Sequence, residues 1–279
     1  MINGIDVSVH QGAINWEKVK KYNDVNFAMI RGGYGRFELD ERFLQNYNNC
    51  KRVGMPVGVY HYSYATTVNK ARQEAEFVIY YLKDKKLEYP VAYDVEDDTM
   101  SNLSGKKLTD IVDTFCSILE KAGYYVVIYS GKYWFAKMNM NKLSRYDIWL
   151  AQWTSTPSFD RPYGMWQYSN SGHISGINGR VDLDKAYKDY PKIIKKAGLN
   201  GWSDSTAAKP KTVEIGKKLA LVSAPLYVSS NSKTAASSIT GIYYVYDGEV
   251  INGRIRITPK KEWCLKKPLT GYVTGWIKL

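Results

Sequence analysis

The sequence predicts an α/β domain built on a parallel sheet, followed by a small all-β unit. Three observations predict it. Short apolar, strand-like runs alternate with amphipathic helical stretches five times before residue 131, which implies a parallel sheet buried under helices. Three more apolar runs then follow with little helix between them, giving eight strands, enough to close a barrel. After about residue 198, small residues and turn signals, Asp247-Gly248 among them, replace the alternation, and short β-type runs continue to a closing strand pair over 270–277.

The elements follow in order. Ile2 to Val9 is the first apolar run; it contains Asp6 and leads into His10-Gln11-Gly12. Trp16 to Tyr22 is a short helix with Asn15 placed to cap it. Asn26 to Arg31 is the second strand, closed by Gly32-Gly33-Tyr34-Gly35. That glycine cluster reads as a tight loop, because it lacks the spacing and the Lys-Ser/Thr pair of phosphate-binding loops. Asp40 to Val53 is helical and Gly54 ends it; Pro56 to Tyr62 is the third strand. Asn69 to Lys83 is a helix whose Ala71, Ala75, Val78, Ile79 and Leu82 share one face. Val91 to Val95 is the central strand, Lys106 to Ala122 a further amphipathic helix, and Tyr125 to Ser130 the fifth strand. Ile148 to Ala151, Met165 to Tyr168 and Val181 to Asp184 complete the eight.

The chain is organised around Tyr89-Pro90-Val91-Ala92-Tyr93-Asp94-Val95-Glu96. Successive strand side chains alternate faces, so Asp94 and Glu96 look into the same space at the strand end. Two carboxyls in one cleft resist double ionisation, which keeps one protonated near neutral pH. An acid and a base a few Å apart is the apparatus of glycosidic bond cleavage. Asp6, Arg31, Tyr60, Tyr62, Gln152, Trp153, Gln167 and Asp182 are likewise expected at or just past strand C-termini. In such barrels the chemistry sits at that end.

Composition narrows the partners. Tyrosine is abundant, at 24 residues, with 8 Trp beside it, an excess suited to stacking on sugar rings as well as to core packing. The net charge of +12 points to an anionic partner. No run of Lys or Arg exceeds two and no nucleic-acid motif occurs, so nucleic acid is not the expected one. Cys50, Cys116 and Cys264 lie far apart and read as free thiols of a reducing compartment. His10, His61 and His173 are scattered, and His61 falls on the strand face opposite Tyr60 and Tyr62, so no zinc site is expected. The start of the chain shows neither a basic nor an apolar leader region, and no membrane span is expected.

The first two thirds of the chain resemble glycoside hydrolase family 25, the peptidoglycan-cleaving muramidases of bacteria and their phages. The likeness rests on Gly4-Ile5-Asp6-Val7-Ser8 with Gln11-Gly12, Gly58 to Tyr62, Ala92 to Glu96, Ile148 to Trp153, Trp166-Gln167-Tyr168, and Gly176-Ile177 leading into Val181 to Asp184. The resemblance implies an irregular TIM-like (β/α)5(β)3 barrel, with Asp6, Asp94, Glu96 and Asp182 matching the family's acidic cluster. It implies cleavage of the β-1,4 bond between N-acetylmuramic acid and N-acetylglucosamine without a cofactor. Glu96 is then the general acid. Asp94 orients the substrate's acetamido group, a covalent nucleophile being the other reading. Asp6 and Asp182 set the cluster's protons and hydrogen-bond substrate or water. Tyr60, Tyr62, Arg31, Gln152, Trp153 and Gln167 are expected to bind substrate, with Arg31 pairing to the acids. Asp97, Asp98 and Asp184 read as solvated or capping residues.

The tail is similar to bacterial Src-homology-3-like wall-binding modules, on strand pattern and Thr274-Gly275-Trp276-Ile277. Residues 1–197 are thus expected to form the catalytic barrel, 198–211 a linker and 212–279 a small all-β wall-binding domain. Residues 201–279 hold twelve Lys or Arg against five Asp or Glu, a charge suited to an anionic wall polymer. The expected partner is bacterial peptidoglycan, without stable membrane insertion. The expected setting is a phage endolysin, made in the host cytoplasm and released through a separate pore. The rival readings are a non-catalytic wall-binding protein, a hydrolase of another N-acetylhexosamine polymer such as chitin, and a peptidase or amidase.

Overall fold

The computed structural model describes residues 1–202, 213–266 and 269–279. The chain divides into two compact units, Met1–Ser203 and Asp204–Leu279.

In the first unit the elements run β1 (Ile2–Val7), α1 (Trp16–Tyr22), β2 (Phe27–Tyr34), β3 (Glu38–Leu39), α2 (Phe43–Arg52), β4 (Val57–Tyr62) and α3 (Val68–Leu82). They continue with β5 (Val91–Asp94), α4 (Gly105–Lys121), β6 (Val126–Gly131), α5 (Lys132–Lys137), β7 (Asp147–Ala151), β8 (Met165–Gly172), β9 (Val181–Ala186) and α6 (Tyr190–Lys196). Strand order is β1-β9-β8-β7-β6-β5-β4-β2, and β1 pairs again with β2, so eight strands close into a barrel with no free edge. Five βα units followed by three strands give the expected (β/α)5(β)3 architecture. Helices α1, α3 and α4 start where side chains accept from free N–H groups: Asn15 from Lys18, Thr67 from Lys70, Ser104 from Lys107.

Residues alternate between two cores, as strand pleating requires. Ile5, Val7, Ala28, Ile30, Val91 and Tyr93 face outward into the layer under the helices. Phe27, Met29, Ala92, Val127, Tyr129, Trp149 and Met165 fill the barrel. The filling is tight: a Cβ on Gly4 would lie 2.3 Å from the Phe27 ring, and one on Gly58 2.4 Å from the Met29 sulfur. Glycine at these inward positions makes room for the large side chains of β2.

Three features depart from the sequence reading. Gly32 and Gly33 are not a loop; β2 runs through them and turns only at Gly35 to pair with β3. Glycine is needed there because Tyr81 and the Glu38 carbonyl approach the backbone closely. Residues 198–202, expected in the linker, pack on the barrel. Asn200 accepts from the Tyr125 N–H and donates to the Tyr89 carbonyl, and Trp202 donates to the Leu87 carbonyl. The rest of the expected linker, from residue 203, lies outside the described residues. Third, β9 is antiparallel to both neighbours, β8 and β1.

The second unit is a four-stranded antiparallel sheet, β10 (Lys218–Leu226), β11 (Ser237–Ile251), β12 (Arg254–Thr258) and β13 (Gly275–Lys278), paired in that order. A bridge between Tyr227 and Trp276 brings β13 back toward the end of β10. Val245, Ile255, Ile257 and Ile277 are its core. Asp247-Gly248, read as a turn, is instead an irregularity inside β11, where the register to β12 shifts. The hairpin turn is Asn252-Gly253, both at positive φ (52° and 70°), as a two-residue primed turn demands. The expected strand pair over 270–277 is a short helix, α7 (Leu269–Tyr272), followed by β13 alone.

Candidate active site

The inward rows of the barrel end in polar side chains at one mouth. Asp6 and Ser8 come from β1 and its extension, Arg31 from β2, Tyr60 and Tyr62 from β4, Asp94 and Glu96 from β5 and just beyond. Tyr129, Trp149, Gln167 and Asp182 come from β6 to β9. Together with His10 and Gln11 they line a cavity of about 240 Å³. The i, i+2 spacing of Asp94 and Glu96 therefore does place both in one space. Asp182 arrives differently from the expectation. It is the second residue of a strand running the other way, so the start of β9, not its end, lies at the mouth opposite Asp6.

The electrostatics are those of crowded carboxyls. Asp94 is 3% exposed, one of its oxygens has no hydrogen-bond partner, and burial then the Glu96 charge push its pKa well up, against the pull of Arg31. Glu96 stands open to solvent by area but deep in the field of the mouth; desolvation first, then Asp182 and Asp97, raise it to about 7. Asp6 is raised well above the usual range by burial and by Asp184 and Asp182. Asp182 itself is raised by burial, offset by a hydrogen bond with Asp6. Carboxyls so arranged share protons near neutrality rather than all ionising.

Asp184 is a correction. Read as solvated or capping, it is completely buried, accepts from Trp149 Nε1 at 2.8 Å, keeps its other oxygen without a hydrogen-bond partner among the described residues, and is raised to about 8 by burial. It lies two residues from Asp182 on the same strand face, which was the one signal available. Gln167, expected to bind substrate, is buried and committed: its Nε2 donates to Asp6 Oδ2 at 2.8 Å, and its Oε1 accepts from Tyr129 Oη at 3.0 Å and Trp153 Nε1 at 2.9 Å. Trp153 keeps 59% of its surface exposed while held by that bond. Gln152 does not line the cavity; it exchanges hydrogen bonds with the Ser158 hydroxyl and N–H and shapes the loop after β7.

Arg31 lines the cavity, but its ion pair is with Asp40 at 2.9 Å and not with the four acids. Asp40, which the sequence offered only as a helix start, also accepts from the Val9 and Arg42 N–H groups, tying the Ser8–Gln11 turn to the mouth. Tyr62 donates to Asp97 Oδ2 at 3.1 Å, so Asp97 orients a wall of the mouth besides capping its own turn. Tyr129, Trp149 and Ser8 were missed because each reads as an ordinary strand residue. His61 points away from the mouth, fully buried, bonded to the Gly35 carbonyl and held neutral down to about 3. Among the described residues, no group of three or more His, Cys, Asp or Glu is arranged to hold a metal ion.

Comparison with known proteins places this geometry. The sequence profile of Glycosyl hydrolases family 25 matches residues 5–177, more than half of the chain. The autolytic lysozyme of Clostridium acetobutylicum is 30% identical over 186 residues, covering 66% of this chain and 55% of that protein. The crystal structure of the CTP1L endolysin aligns with a TM-score of 0.63 at 26% identity, over 70% of each chain. The modular autolysin LytC from Streptococcus pneumoniae, solved with a synthetic peptidoglycan ligand, aligns with a TM-score of 0.60 at 30% identity, over 65% of this chain and 46% of its own. The carboxyls of β1 and β5 thus lie inside the profile match, and those of β9 lie just past its end. The chain belongs to glycosyl hydrolase family 25, and it is a glycoside hydrolase of the lysozyme type.

Proposed function

We propose that this protein is an N-acetylmuramidase that hydrolyses the β-1,4 bond between N-acetylmuramic acid and N-acetylglucosamine in bacterial peptidoglycan. The observation that carries the reading is the shared cavity of Asp94 and Glu96, with Glu96 raised to about 7. An acid of that strength holds its proton at neutral pH and still releases it readily, as a general acid must.

In the proposed reaction Glu96 gives its proton to the departing glycosidic oxygen as the C–O bond breaks. The substrate's acetamido carbonyl oxygen attacks the anomeric carbon, and Asp94 accepts a hydrogen bond from the amide N–H and balances its developing positive charge. Water then adds at the anomeric carbon, giving its proton to Glu96 and regenerating the acetamido group. This is the substrate-assisted form of glycoside hydrolysis. Asp6 and Asp182 keep the cluster's protons distributed so that Asp94 ionises when the amide arrives. The setting is that of an endolysin, as CTP1L is. The basic second unit serves as a Src-homology-3-like module adhering to an anionic wall polymer.

The test is the count of new reducing ends from purified peptidoglycan and from soluble chitin oligomers. The reading expects ends from peptidoglycan, none comparable from chitin, no new free amino groups, and activity insensitive to EDTA and thiol blockers. Release of amino groups without reducing ends would make it a peptide-bond cutter instead.

A further inference from the structure

A second pocket, of about 310 Å³, opens beside the mouth between the β2–β3 hairpin and the start of α3. Tyr34, Phe37 and Tyr64 form its aromatic walls, and Arg36, Lys70 and Glu38 its charged rim. Two contacts make it continuous with the catalytic cavity. The Arg31 guanidinium stacks over the Tyr34 ring at 5.3 Å, and Tyr62 meets Tyr64 edge-on at 5.3 Å. Arg31 and Tyr62 belong to the first cavity, Tyr34 and Tyr64 to the second. The first cavity alone, at about 240 Å³, falls below the ~300–1,000 Å³ of usual small-molecule sites, so a polymeric substrate needs a further contact region.

The chemistry of the rim selects which part of the substrate fits. Arg36 reaches only the neutral Gln73 side chain, at 3.3 Å, and Lys70 only Thr66, at 3.1 Å. The Glu74 carboxylate is turned inward, where it accepts from Ser63 and Tyr93 hydroxyls and the Tyr64 N–H. Among the described residues, Arg36, Lys70 and Glu38 make no salt bridge, although the Lys70 charge does act on the inward-turned Glu74. Aromatic walls stack on sugar or peptide alike, but a glycan chain whose lactyl carboxyls are amide-linked to peptide carries no ionic group of its own for the rim to hold. A peptide with free carboxylates does, and Arg and Lys bind carboxylates through charge-assisted hydrogen bonds. We propose that this pocket is a subsite for the carboxylate-bearing peptide attached to the muramic acid of the wall glycan, joined to the catalytic cavity across Tyr34 and Tyr64.

The inference rests on the muramidase reading, and one experiment separates the two. Wild type and the Arg36→Ala/Lys70→Ala double variant are compared on peptidoglycan and on the same glycan chains stripped of peptide by an amidase. Both substituted residues lie at the surface and outside the catalytic cavity, and equal melting temperatures check that the fold is kept. The expected result is a fall in kcat/KM of about tenfold on peptide-bearing chains, carried by KM, with stripped chains cleaved as by wild type. An equal fall on both substrates would mean that the rim holds the sugar chain itself, including the lactyl carboxylate that the amidase frees, and no fall on either would make it bare surface; each overturns the proposal. Failure of wild type to make reducing ends on either substrate would strike the muramidase reading instead.

Discussion

Gln167 Nε2 donates to Asp6 Oδ2 across 2.8 Å at the floor of the mouth, with both groups buried. The bond favours the ionised form of Asp6 against desolvation and two neighbouring acids. It is kept in place by Tyr129 and Trp153, which fix the amide's orientation from its oxygen end. Replacing Gln167 with Met keeps the volume and removes the donor. Asp6 then rises further, and kcat/KM is expected to fall by about tenfold, the effect of one hydrogen bond to a charged group. Wild-type kinetics for the Gln167→Met variant would show that Asp6 does not depend on it.

Asp182 is among the causes that raise Glu96. Activity requires protonated Glu96, so the rate is expected to decline as pH rises through about 7. Removing the Asp182 charge with Asp182→Asn lowers the Glu96 pKa and moves that alkaline limb to lower pH. A pH profile of kcat/KM checks the direction, and a limb that stays put or moves upward contradicts it.

Asp184 makes folding pH-dependent. Its pKa is raised to about 8 in the fold, so the folded state holds a proton that the unfolded chain has released above pH 4 or so. The stability from this group is full below the unfolded pKa and is lost as pH rises toward about 8. Asp184→Asn removes the ionisation and leaves a donor facing Asp6. The variant is expected to match wild type near pH 4 and to exceed it at pH 8 by at least about 1 kcal/mol, roughly 2–4 °C in Tm. Thermal melts across that range decide it.

Arg31 supplies the ion pair of a buried acid. With Arg31→Met, Asp40 keeps two backbone donors but loses its counter-charge at 2.9 Å. Removing one partner of a buried pair costs about 3 kcal/mol, which urea unfolding would resolve. A change under about 0.5 kcal/mol would mean that the two N–H groups suffice.

The sequence read the barrel well because its information is local. Asn15 and Gly54 mark helix ends, and the alternation in Phe27-Ala28-Met29-Ile30 separates two cores without any long-range knowledge. Asp94 and Glu96 were legible for the same reason, since pleating alone puts them on one side. What needed the fold was pairing between distant strands. Nothing near Asp184 in the chain announces Trp149 above it or Asp6 beside it, and nothing near Asp40 announces Arg31 and Val9. The direction of β9 was hidden too, because an apolar run looks the same whichever way it pairs. Asp247-Gly248 misled because a bulge and a turn ask for the same residues.

The central claim is that Glu96 protonates the oxygen leaving from N-acetylmuramic acid. Its most direct test is mass spectrometry of peptidoglycan fragments after borohydride reduction, for wild type and Glu96→Gln. The account predicts muramitol ends with wild type and their loss, by a thousandfold or so in rate, with the variant. Glucosaminitol ends would mean cleavage of the other glycosidic bond, and muramitol ends made equally by Glu96→Gln would contradict the assignment of the acid.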